Sequence, residues 1–105
     1  MSLWGMPDPT LQLVATNVLY YTELDERAFF DWLDRMSFVS GYRGVARDLF
    51  INLSRLPNYA DLWEIIGFCR RYGIDLNQLE RFVTDENRGW LLDEIARNAS
   101  PTNGD

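Results

Sequence analysis

The chain contains no histidine and no lysine, and Cys69 is its single cysteine. Those absences remove the imidazole general base, the Schiff-base amine, the phosphate-cradling lysine and every Cys/His metal cluster. One cysteine forms no internal disulfide, so nothing points to an oxidising compartment. No stretch approaches 18 uninterrupted apolar residues, and no basic leader precedes a long apolar run near the N-terminus. The expectation is a cytoplasmic protein without a membrane span, a metal, a cofactor or catalytic residues. Asn98-Ala99-Ser100 matches a glycosylation sequon, which without a secretory signal reads as chance.

What the chain does contain is acid and aromatic rings. Sixteen Asp and Glu face ten basic residues, all arginine, for a formal net charge of −6, and 47% of the 105 residues are hydrophobic. A chain of this length buries roughly 65% of its unfolded surface, enough for one modest core without covalent staples. There are 4 Trp, 5 Tyr and 6 Phe, more rings than such a core obviously needs, so some are expected at the surface.

The charge is uneven. Residues 23–36 carry five acids against Arg27 and Arg35, and residues 74–105 carry seven against three arginines. Between them, residues 37–57 hold Arg43, Arg47 and Arg55 against Asp48. Acidic ends repel nucleic-acid phosphates, and the small basic middle is too weak to track a phosphate backbone. A basic protein partner is electrostatically easier.

Periodicity yields an α+β fold: a small antiparallel β-hairpin or sheet packed against three to four helices, in one domain spanning 1–105. Residues 1–19 form an N-terminal extension. Asp8-Pro9 suits the start of a helix, with Leu11, Val14, Ala15, Val18 and Leu19 at helical spacing, although Leu11, Leu13 and Ala15 also alternate as a strand would. The helical pattern is preferred. Thr22-Glu23-Leu24-Asp25 opens a helix to about Met36, its apolar face comprising Leu24, Ala28, Phe29, Trp32, Leu33 and Met36. Phe38–Arg43 and Asp48–Ser54 form a hairpin turning at Gly44, either covered by helices or joined by an N-terminal strand. Pro57-Asn58 starts a helix to Tyr72 closed by Gly73, with Leu62, Ile65, Ile66, Cys69 and Tyr72 inward. Asp75 caps a short helix through Val83. Thr84 or Asp85 caps a last one to about Asn98, with Leu91, Leu92, Ile95 and Ala99 inward, before a frayed tail at 100–105.

Candidate function rests on aromatic rings set among charge. Phe30 points about 150° from the centre of its helix's apolar stripe, among Glu23, Glu26, Arg27 and Asp34, which makes it a candidate binding anchor. Trp90 sits opposite Leu92 and Ile95 with Glu86, Asp93 and Glu94 around it, a setting that suits an arginine- or lysine-rich partner. Phe30, Trp90, Glu86, Glu94, Glu26 and Asp34 are therefore the expected partner contacts. Against this stands ordinary packing of both rings on neighbouring elements. Tyr59, Trp63 and Arg70 line the flank of the second helix, Trp63 closing the core edge and Gly67 admitting a close neighbour. Cys69 reads as a small buried hydrophobe without a base to activate it. The paired acids Asp85/Glu86 and Asp93/Glu94 read as solvated capping and solubility charges, since a general acid needs burial to raise its pKa.

Two stretches, Tyr20-Tyr-Thr-Glu-Leu-Asp-Glu-Arg-Ala-Phe-Phe-Asp-Trp-Leu33 and Arg71-Tyr-Gly-Ile-Asp-Leu-Asn-Gln-Leu79, resemble a family of small bacterial proteins of uncharacterised function. The resemblance covers roughly residues 20–92. It implies a bacterial source and a single small domain, and it transfers no site residues.

The functional expectation is a non-enzymatic protein–protein interaction module, in its sharpest form an immunity-type inhibitor of a basic toxin or effector. The alternative is a small-ligand-binding protein or enzyme using carboxylate and arginine chemistry in a helix–sheet cleft. A homodimer that buries its own rings is the third reading.

Overall fold

A computed structural model describes residues 8–99, with side chains as far as Arg97. Residues 1–7 of the expected N-terminal extension, the frayed tail at 100–105 and the inward Ala99 side chain lie outside those residues. The fold class is α+β, built on a three-stranded antiparallel sheet. The chain divides between Leu56 and Pro57 into two units.

In the first unit, Asp8 and Pro9 do open a helical turn, but it is a 3-10 turn of three residues, Pro9–Leu11. The Asp8 carboxylate accepts hydrogen bonds from the Thr10 N–H and hydroxyl at 2.9 and 2.7 Å, which also holds its pKa below the usual carboxylate value. The chain then becomes strand β1, Gln12–Thr16, rather than the preferred helix. The alternation of Leu13 and Ala15, both buried, overrides the competing helical spacing because a partner strand is available.

Helix α1 spans Glu23–Arg35, with the Thr22 side chain accepting from the Asp25 N–H as the cap motif requires. Three acids in its first turn and Arg35 in its last suit the helix dipole. Phe29, Leu33 and Met36 are buried, whereas Leu24 and Ala28, expected on the same face, are exposed. The buried stripe is narrower than the sequence pattern and centred on Phe29 and Leu33. Phe30 is consequently only about 90° from its centre.

Strands β2, Val39–Val45, and β3, Asp48–Leu53, form the hairpin. Its turn is the pair Ala46-Arg47, not Gly44, which pairs with Leu49 inside the ladder. β3 lies between β1 and β2 and is antiparallel to both, so β1 and β2 run parallel and α1 is the crossover joining them. Register sets Leu13 and Tyr42 beside Ile51, placing these three side chains on one face. The Tyr42 hydroxyl donates to Asp34 Oδ1 at 2.8 Å, tying that face to α1.

In the second unit, α2 spans Tyr59–Tyr72. Asn58 and Asp61 exchange side-chain-to-backbone bonds of 2.9 and 3.0 Å, a complete capping box. Gly73 ends the helix at φ 69°, a left-handed conformation that glycine adopts at little cost. The expected core stripe of Leu62, Ile65, Ile66, Cys69 and Tyr72 is buried. Asp75 caps a 3-10 helix, Leu76–Phe82, which buries Leu76, Leu79 and Phe82. Helix α3 runs Arg88–Ala99, beginning after a turn in which Thr84 and Asn87 bond each other's backbone N–H. Leu91 and Ile95 face inward as expected, but Leu92 is exposed and Glu94 takes the buried place.

Candidate protein-interaction surface

Phe30 is half-buried on the flank of α1. Its ring lies 4.9 Å from Phe29, 5.4 Å from Tyr42 of β2 and 6.3 Å from Tyr20 of the segment before α1. Register explains the Tyr42 contact, since that ring projects from the same sheet face as Ile51 and Leu13. Part of Phe30 is therefore packing, and the remainder forms the ridge between two open hollows.

Glu23, Leu24, Glu26, Arg27, Asp31 and Asp34 surround the ring on one side of this ridge. On the other side Ala15, Val18, Tyr20 and Leu49 form an apolar floor beneath Asn17, Ala46 and Arg47. Both hollows share Phe30 and Glu26, so they read as one groove crossing the ring. Three of the expected contacts, Phe30, Glu26 and Asp34, thus line one hollow. Leu24 is 73% exposed beside them, and Leu19 and Tyr21, which alternate with the lining residues Val18 and Tyr20, are 64% and 78% exposed. Sequence pattern hides this apolar group, because Leu24 falls on the core stripe of its helix, Leu19 on the helical spacing of the N-terminal segment, and Tyr21 on no period at all.

The rim of the second hollow is held in an uncommon backbone conformation. Asn17 and Ala46 have φ of 54° and 56°, and the Asn17 N–H donates to the Arg47 carbonyl at 2.9 Å. Asparagine tolerates this region, but alanine carries a steric cost there. At the opposite end, the Asp34 carboxylate accepting the Tyr42 hydroxyl pushes the tyrosine pKa up, with desolvation a smaller contribution. That bond fixes one carboxylate at the edge of the groove.

The second unit carries its own aromatic group. Trp90 of α3 stacks on Trp63 of α2 with centroids 5.0 Å apart and planes at 11°, and Tyr59 meets the Trp90 ring edge-on at 5.2 Å. Trp90 is half-buried by this contact, while Tyr59 remains 66% exposed. Glu86 is exposed before the helix. Glu94 is not part of a solvated acidic rim. Its carboxylate is buried, with Arg70 Nη2 at 2.5 Å from Oε1 and Arg97 Nη1 at 3.5 Å from Oε2. Trp90 and Glu94 are one turn apart, so both lean toward α2, where Trp63 and Arg70 receive them. Sequence spacing within α3 contains no sign of this, because the receiving residues belong to another helix.

Cys69 is buried in the α2 stripe, and desolvation, helped by the charge of Asp75, pushes its thiol up to about 12. A thiol so held stays protonated and unreactive at neutral pH. Among the described residues no group of three or more Cys, Asp and Glu is placed to hold a metal ion, and no helix is long and apolar enough to cross a membrane. Compared with protein-family models, with curated proteins and with solved structures, the chain matches none of them.

Proposed function

We propose that this chain is a protein–protein interaction module that holds a partner without transforming it, an immunity-type inhibitor of a basic toxin or effector being its sharpest form. The observation that carries the reading is the groove crossing Phe30: a ridge of aromatic ring, apolar side chains open beside it, and carboxylates around them. Apolar anchors ringed by polar groups are the usual anatomy of a binding surface. The disposition of acids supports it further. Asp61 and Glu94 are the buried charged residues among those described, and both are engaged structurally, one in the α2 capping box and the other with Arg70 and Arg97. The acids lining the first hollow are exposed, where a carboxylate steers a partner rather than acting as a general acid.

The test is affinity capture from the native host, followed by binding measurements with the captured protein. Leu24→Ala is the informative variant, because Leu24 is exposed, the change adds no charge, and it leaves the ring packing of Phe30 in place. Affinity should fall by about 1–4 kcal/mol at unchanged stability. Equal affinity of wild type, Leu24→Ala and Phe30→Ala for the captured protein would remove this surface from consideration.

A further inference from the structure

We infer that the occupant of the Phe30 groove is a cationic segment of the partner, rich in arginine or lysine, that seats one large apolar side chain against the ring. This rests on the interaction reading above and names the chemistry of what binds.

Charge complementarity carries it first. Across the two hollows the lining acids are Glu23, Glu26, Asp31, Asp34 and Asp48, and the lining arginines are Arg27 and Arg47. Arg35 bonds Asp31 at 2.8 Å, and including it still leaves five carboxylates against three guanidinium groups. That pair is well exposed on both sides, so it competes weakly with an incoming cation. Of the remaining acids, Asp34 accepts from Tyr42 and Asp48 from the Thr16 hydroxyl, bonds to neutral donors that leave each carboxylate its full charge. The protein supplies no lysine of its own to neutralise them.

The floor selects the rest of the occupant. Ala15, Val18, Tyr20, Phe30 and Leu49 line a hollow of about 380 Å³ whose far rim is the Asn17–Arg47 contact. A dissolved cation alone would gain nothing from these apolar atoms. An aliphatic or aromatic side chain between two cationic residues meets this floor and the neighbouring carboxylates of Glu26 and Asp48 together. The arrangement also excludes nucleic acid, whose phosphates the same carboxylates repel.

The experiment uses a synthetic peptide of about twelve residues, arginines flanking one central leucine, titrated into the isotopically labelled full chain and followed by amide chemical shifts. A Leu→Ser version and a version with every arginine replaced by glutamate accompany it. Shifts should concentrate at Glu23, Glu26, Phe30 and Ala46. Affinity should fall about tenfold or more between about 50 and 300 mM salt, since exposed charges are screened over roughly 10 Å. It should fall comparably in the Glu23→Gln/Glu26→Gln double variant, and the Leu→Ser peptide should bind more weakly. The glutamate version should not bind. No shifts at these residues, or equal binding to the double variant, overturns the inference. If the peptide fails while Leu24→Ala still loses the natural partner, the cationic occupant is wrong and the interaction surface stands. If both fail, the surface itself is wrong.

Discussion

Arg70 holds Glu94 at both ends: its Nη2 lies 2.5 Å from the carboxylate and 3.3 Å from the backbone carbonyl of the same residue. One guanidinium thereby joins α2 to α3 through a side chain that is 11% exposed. Removing one member of a buried pair leaves the other under-compensated, although the Arg70 side chain, at 35% exposure, keeps access to water. Glu94→Gln should therefore destabilise by about 1–2 kcal/mol, whereas the exposed Asp93→Asn should stay within about 0.5 kcal/mol. Urea unfolding midpoints measure both. Equal midpoints would mean that the pair contributes nothing net.

Trp63 and Trp90 are near-parallel at 5.0 Å, and Tyr59 abuts the pair. A double-mutant cycle with Trp63→Ala and Trp90→Ala should return a coupling energy of about 0.5–1.5 kcal/mol beyond the single losses. Strict additivity would show that the rings merely lie near each other.

Ala46 and Gly73 pose the same backbone question with opposite answers. Both occupy the left-handed region, at φ 56° and 69°, but only Gly73 lacks the Cβ that makes it costly. Ala46→Gly should raise stability by about 0.5–1 kcal/mol, and Gly73→Ala should lower it by about 1 kcal/mol. Thermal unfolding of the two variants is sufficient. A fall in stability for Ala46→Gly would refute the strain.

The Cys69 thiol links stability to alkaline pH. Its pKa rises from 9.0 to about 12 on folding, mainly by desolvation. In the unfolded chain the proton leaves near pH 9, while the folded protein keeps it. The unfolded state then binds fewer protons, so stability falls as pH climbs from about 9 toward 12 and this contribution is complete below that window. The slope attributable to Cys69 approaches but does not exceed about 1.4 kcal/mol per pH unit. Cys69→Ala should unfold at lower denaturant yet show a shallower alkaline decline than wild type. Parallel declines would place the titrating group elsewhere.

Much of the local structure is readable from short-range chemistry. Thr22 with Asp25, Asn58 with Asp61, and Gly73 each act within three or four residues, so their cap geometry is encoded where it occurs. The buried stripe of α2 is equally direct, because all of its members sit on one helix face. β1 is different. Its five residues fit a helix or a strand, and pairing from Gln12 with Asn52 to Thr16 with Asp48 selects the strand. The hairpin turn falls at Ala46 for a related reason: registering Gly44 with Leu49 carries β2 beyond the glycine that looked like its end.

For the candidate site the division is sharper. Composition alone established the acidic character and the missing imidazole and side-chain amine, and helical spacing set Phe30 among carboxylates. Tertiary structure decided that Phe30 is a ridge rather than a lone exposed ring, that Leu24 joins it at the surface, and that Glu94 is withdrawn to Arg70. The physical reason is range. Caps and apolar periods are satisfied within one helical turn, whereas the neighbours of a ring or a buried charge come from strands and helices distant in the chain and exist only once those elements pack.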